Sequence, residues 1–168
     1  VGIFVYWYCY DEAADGHTLV TLPQLMTWNQ CDTWSDFRVA PFMDMKFDAN
    51  PCSYFKAGKV KASTLSLTVL VVIEMLNAFN ALSEDGSLVQ MPPWANPYLI
   101  VASSFSIFVH VLILYVPVLS KIFGVCPLDA HDWVLVMAFS VPVILIDEVL
   151  KLLGRGYNAA RKDGLKLD

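Results

Sequence analysis

Between Lys61 and Lys121 the sequence carries neither lysine nor arginine, and charged residues make up only 16% of the chain, against about a quarter in soluble domains. No dense basic patch lies among the aromatics and the net charge is -5, which sets nucleic acid aside as a partner. Also missing are a glycine-rich phosphate loop, a Ser-His-Asp set and a Cys/His cluster with metal-ligand spacing. No catalytic site is legible. Residues 1–10 have no Met and no charged start, so they do not read as a cleavable signal peptide. An apolar run that short cannot span a bilayer alone. It reads as the end of a spanning helix in the C-terminal part of a longer polypeptide.

What is present is apolar residue, 57% of the chain, gathered into three stretches at 64–82, 97–119 and 132–150. Each is long enough to cross roughly 30 Å of hydrocarbon, and a soluble domain of this size has no core in which to hide all three. The expected fold is all-α, a polytopic helical membrane bundle. Residues 1–10 end one transmembrane helix, 11–63 form a loop outside the bilayer, and 64–168 hold three transmembrane helices and a polar tail. Gly and Pro in the connections 83–94 and 120–131 suit short turns between antiparallel spans.

The loop is rich in Asp, Pro and aromatics and contains Cys31 and Cys52. A disulfide is the favoured reading over two free thiols if the compartment is oxidising, and closing that loop contributes about 3 kcal/mol. Cys9 and Cys126, in or beside apolar segments, read as packing residues. Basic residues do not orient the chain, because the loop holds Arg38, Lys46, Lys56, Lys59 and Lys61 while the tail holds Lys151, Arg155, Arg161, Lys162 and Lys166. The disulfide breaks the tie, placing the loop in a lumen or exterior and the C-terminus in the cytosol.

Glu74 is the eleventh of the nineteen residues in the stretch 64–82. At 1.5 Å per residue it sits about 15 Å in, near the bilayer midplane. An ionised acid there costs about 2.5 to 3.5 kcal/mol unless protonated, paired or bound to a cation. No lysine or arginine on its own stretch or the next can pair with it. Asn77 is one turn on, and Ala78 and Ala81 leave room beside it, so Glu74 and Asn77 offer oxygens to a hard cation such as calcium. Calcium takes about six to eight oxygens and these two residues supply at most about three, so the cage is incomplete within this chain. The plainer alternative is a protonated Glu74 hydrogen-bonded across the bundle to His110, at similar depth in the next span.

Other polar groups have plainer roles. Asp147 lies four residues before Lys151 and, with Glu148, reads as an anchor at the helix end. Asn77 and Asn80 also suit interhelical contacts, Pro142 a kink, and Trp94, Tyr98, Tyr115 and Trp133 interfacial belts.

The runs Val72-Ile73-Glu74-Met75-Leu76-Asn77-Ala78-Phe79-Asn80-Ala81-Leu82-Ser83-Glu84 and Met91-Pro92-Pro93-Trp94-Ala95-Asn96-Pro97 resemble the eighth transmembrane helix and following loop of P-type calcium ATPases of the endoplasmic-reticulum type. Ile113-Leu114-Tyr115-Val116-Pro117 and Pro142-Val143-Ile144-Leu145-Ile146-Asp147-Glu148-Val149-Leu150-Lys151 are similar to that family's ninth and tenth helices. The likeness is nearly continuous from Lys56 to Tyr157 and looser before it, although Cys31 and Cys52 sit where the family's lumenal loop has a disulfide. Plant and algal members look closest. The resemblance implies that Glu74 is the eighth helix's ligand in one of two calcium sites, and that the C-terminus is cytosolic. It also implies an endoplasmic-reticulum or related endomembrane, with the bilayer and the parent's other helices and cytosolic domains as partners.

The ligands of the fourth to sixth helices, the phosphorylated aspartate and the nucleotide domain that uses ATP and magnesium are not in this sequence, so this piece alone is expected to be inactive. In the parent, Glu74 would bind calcium when deprotonated and return a proton when the site opens to the lumen. The competing readings are a related pump for another cation such as manganese, and a non-enzymatic membrane scaffold or regulator.

Overall fold

No Gly or Pro interrupts the sequence from Lys59 to Ala81, and a single helix forms there. The computed structural model describes residues 1–12, 15–81 and 96–164, with positions 81, 152 and 155–164 described as backbone only. In chain order the helices are α1 (Gly2–Cys9), α2 (Leu22–Met26), α3 (Lys59–Ala81), α4 (Pro97–Tyr115), α5 (Pro117–Phe123) and α6 (Ala130–Gly164). Two 3₁₀ turns, Trp28–Thr33 and Pro51–Phe55, lie in the loop, and an isolated antiparallel bridge joins Phe42 to Met45. No strand occurs among the described residues. The fold is all-α, and α3, α4 and α6 are long and apolar enough to cross a membrane. The connection 83–94, with Trp94, lies outside the described residues, as does the Ala81 side chain.

Three hydroxyls on α3 find partners within the helix, as lipid requires. Thr64 donates to the Val60 carbonyl at 2.8 Å, Ser66 to Ala62 at 3.0 Å and Thr68 to Thr64 at 2.9 Å. Asn96 caps α4, its side chain accepting from the Leu99 amide at 3.3 Å, with Pro97 at the first helical position. The apolar stretch expected as one segment to residue 119 divides. α4 stops at Tyr115 because Val116, preceding a proline, takes an extended conformation, φ -85° and ψ 115°. α5 then runs from Pro117 to a left-handed Gly124, φ 64°. The last helix passes through Pro142 and beyond residue 150 to Gly164.

α3 is the hub, packed against α1, α6 and α4. Between helices in lipid there is little hydrophobic force, so close contact relies on shape, and small side chains such as Ala62, Ser103 and Ser140 are buried, as are Leu65, Leu114 and Val136. Outward faces remain apolar, with Val101, Phe105, Phe108, Leu145 and Ile146 exposed.

The loop is a packed body. Val20, Val39, Phe42, Phe47, Tyr54 and Phe55 are buried against Trp7 and Tyr8 at the end of α1, forming one core with the tops of α1 and α3. On the aqueous side such burial contributes about 1.5–3 kcal/mol per large side chain. Tyr54 meets Tyr8 and Phe47 edge-on, each at 5.5 Å between centroids, and donates its hydroxyl to the Thr18 carbonyl at 3.0 Å. Cys31 and Cys52 are joined by a disulfide, Cα to Cα 5.6 Å, tying one 3₁₀ turn to the other.

Candidate intramembrane cation site

Along α3 the exposed positions are Lys59, Ser63, Leu67, Leu70, Glu74 and Asn77, spaced four, four, three, four and three apart. That spacing is one helical stripe. The opposite stripe, Ala62, Leu65 and Thr68, is buried against the bundle. Glu74 therefore projects from the side of α3 that the described chain leaves uncovered, with Asn77 one turn away on the same side.

Among the described residues Glu74 has no hydrogen bond or ion pair. α3 starts at Lys59 and so includes Lys59 and Lys61, but Lys61 lies thirteen residues, about 20 Å, from Glu74 along the axis. No group of three or more His, Cys, Asp or Glu able to hold a metal occurs among the described residues. Glu74 and Asn77 supply at most about three oxygens, so most of a calcium cage of about six to eight would have to come from other residues.

The proposed partnership of Glu74 with His110 does not form. His110, buried on α4, pairs through Nε2 with the Thr68 hydroxyl at 3.0 Å. Thr68 lies six residues, about 9 Å, nearer the loop than Glu74. Helix register decides the matter, because Thr68 is on the buried stripe and Glu74 is not. Asp147 and Lys151 approach to 3.9 Å, but Lys151 reaches Asn80 more closely, 2.7 Å to its carbonyl and 2.5 Å to its side-chain oxygen. A lysine thus closes the carbonyl end of α3, where the helix dipole favours positive charge. Glu148 is half-buried, Cys126 is buried and Cys9 partly so.

A second polar centre sits at the loop end of the bundle and escapes a linear reading. Lys61 is buried, and its Nζ lies 2.9 Å from Asp132, 3.0 Å from Asp129 and 3.2 Å from Asp15. Asp132 also accepts the Asp129 amide at 2.7 Å in the first turn of α6, where a negative charge suits the helix N-terminus. His17, stacked on Trp7 at 3.9 Å, places Nδ1 2.6 Å from Asp15 and Nε2 2.8 Å from the Trp7 carbonyl. Burial raises the Asp15 carboxyl, but hydrogen bonds from His17 and the charges of His17 and Lys61 outweigh it and bring it to about 2. Asp11, buried nearby with His131 at 3.7 Å, is raised, chiefly by burial. The signals available in sequence were Lys61 as the last cation before the long interval without lysine or arginine, and Asp129 and Asp132 one turn apart.

Residues 1–153 match the family described as "Cation transporting ATPase, C-terminus". The chain is 55% identical over 165 residues to calcium-transporting ATPase 4, endoplasmic reticulum-type, of Arabidopsis thaliana, a match covering 92% of this chain and 16% of the relative. It is 56% identical over 151 residues to a calcium-transporting ATPase of Plasmodium falciparum, covering 90% of this chain and 12% of the relative. It is 51% identical over 168 residues to calcium-transporting ATPase 2, endoplasmic reticulum-type, of Arabidopsis thaliana, again 92% and 16%. The chain thus spans about a sixth or less of the length of the curated relatives it matches.

Proposed function

The chain belongs to the cation-transporting ATPase C-terminal family, and on that premise we propose that it is the C-terminal membrane part of an ATP-driven calcium pump, with Glu74 supplying one carboxylate to an intramembrane calcium site. The observation that carries this reading is the placement of Glu74. It is a mid-span acid on the uncovered stripe of α3, beside Asn77 and about 20 Å along the helix from Lys61. A structural acid would be expected to turn inward to a partner, as His110 does. An acid that shares an ion with other helices belongs on the face they would cover.

In this proposal the loop end faces the lumen of the endoplasmic reticulum, where the Cys31–Cys52 disulfide is stable, and the end of α6 faces the cytosol. The pump moves calcium from cytosol to lumen. Glu74, ionised, contributes oxygen ligands, with Asn77 as a further ligand or a support for the carboxylate. When the site opens to the lumen calcium leaves, a proton takes its place on Glu74, and the neutral carboxyl is cheap to keep in the membrane while the empty site returns. ATP, magnesium and the phosphorylated residue belong to the rest of the parent, and this piece alone has no turnover.

The test is equilibrium calcium binding to the full-length protein with Glu74→Gln. The expected result is loss of one bound calcium or at least a tenfold fall in affinity, with Glu74→Asp intermediate. Unchanged stoichiometry together with unchanged affinity overturns the assignment. Manganese binding in the same assay separates the ion specificities.

A further inference from the structure

Leu22, Met26 and Trp28 expose large apolar side chains although they lie in the loop, and α2 buries none of its residues. Beside them a groove of about 320 Å³ opens where α1, the loop and the start of α3 meet. Its walls are Phe4, Tyr8, Leu25, Trp28 and Phe55, and Lys56 and Lys59 complete the lining. Both lysines are exposed and neither has an ion pair among the described residues. The Tyr8 hydroxyl is buried and has no hydrogen-bond partner among the described residues.

Depth distinguishes the two ends of the groove. Phe4 lies five residues before the end of α1, about 8 Å down the helix and at the edge of the hydrocarbon. Lys59 opens α3, about 8 Å above Thr64, where the apolar stretch begins. One end of the groove is therefore at acyl depth and the other at headgroup height.

We propose that this groove binds an anionic phospholipid from the loop-side leaflet. An acyl chain lies along Phe4 and Leu25, and the phosphate sits between Lys56 and Lys59. Leu22, Met26 and Trp28 rest in the interface and hold the groove at the membrane surface. The competing occupants fit less well. An acidic peptide in the lumen would leave the Phe4 wall uncovered, and an apolar helix of the parent would bury two cations without counter-charge. The inference requires the spanning topology of α1 and α3 and is independent of what Glu74 binds.

The test uses the full-length protein in phosphatidylcholine nanodiscs containing a minority of phosphatidylserine, with retained lipid counted by native mass spectrometry after extraction. Wild-type protein should retain phosphatidylserine in preference to phosphatidylcholine. A basic residue near an anionic surface is worth about fivefold, so Lys56→Gln and Lys59→Gln together should reduce retention about thirtyfold and each alone about fivefold. Leu25→Asp, which places a negative charge in the wall, should reduce it with both lysines intact. Equal retention of the two lipids by wild type, or undiminished retention in the double variant, overturns the proposal. So does displacement of phosphatidylserine by inorganic phosphate, which would mark a phosphate site, or protection of both lysines from a water-soluble acylating reagent in phosphatidylcholine alone, which would mean that protein covers the groove.

Discussion

Lys61 Nζ, at the first turn of α3, lies 2.9 Å from the Asp132 carboxylate in the first turn of α6, both side chains almost wholly buried. The two helices are the main packing pair of the bundle, and this contact fixes how their loop ends meet. Removing one partner strands a buried charge, at a cost of about 3–5 kcal/mol. Lys61→Met should therefore lower the thermal stability of the full-length protein sharply, whereas Asp129→Asn, whose carboxylate is 75% exposed, should cost under about 1 kcal/mol. Adding Asp132→Leu to Lys61→Met should recover part of the loss. If the double variant is as unstable as the sum of the singles, the two charges are not coupled.

Gly58 joins the 3₁₀ turn at Pro51–Phe55 to α3, and a Cβ there would stand 2.6 Å from the Tyr54 carbonyl oxygen and 2.7 Å from its ring. Tyr54 is fully buried and backbone cannot swing aside as a flexible side chain can. Gly58→Ala should destabilise the loop by about 1–3 kcal/mol. The sign matters, because Gly→Ala just ahead of a helix would ordinarily stabilise. Limited proteolysis of the loop in the two proteins reads the difference directly.

The disulfide closes a stretch of twenty-one residues and should contribute about 2–4 kcal/mol to the loop by restricting its unfolded ensemble. Native protein treated with a bulky maleimide should label at neither Cys31 nor Cys52 until a reductant is added. The Cys31→Ser, Cys52→Ser pair should lose loop order at lower temperature than α3 and α6 melt. Labelling of both cysteines without reductant would show the thiols to be free.

How much of this was readable in advance depended on how local the cause was. Span lengths depend on neighbouring residues alone, and the exceptional status of Glu74 rests on the missing lysine and arginine over the same interval, so both were legible. The end of α4 at Tyr115 was legible in principle from Pro117, since the constraint acts one residue back. The partners of Lys61 were not, because Asp15 lies 46 residues before it and Asp129 68 after. His110 makes an interhelical hydrogen bond, as a polar residue in a span is expected to, but its partner is Thr68 and not the alternative, Glu74. Depth along a helix can be counted from sequence, but rotation about its axis relative to a neighbour is set by packing, and rotation put Thr68 inside and Glu74 outside. The loop looked open because its Asp, Pro and Gly residues announce turns. The contacts that pack it span distances such as the 36 residues between Thr18 and Tyr54.

Acid should loosen the loop before it reaches the bundle. The Asp15 carboxyl titrates at about 2 in the folded chain and at 3.8 when unperturbed, so folding favours its ionised form. The stabilisation is complete above about pH 4, declines as the pH falls toward 2, and is gone below both values. Asp11 has the opposite sign. Its folded value is raised by burial, so protonation relieves a cost and partly offsets the loss at Asp15 as the pH falls. Asp15→Asn should flatten the decline between pH 4 and 2 at the expense of stability near neutrality, and Asp11→Asn should steepen it while raising stability near neutrality. Hydrogen exchange at the Tyr8 and Val20 amides reports on the loop seam, where the Val20 amide donates to the Tyr8 carbonyl at 3.0 Å. If exchange there is the same in wild type and Asp15→Asn across that pH range, His17 and Lys61 do not hold the loop through Asp15.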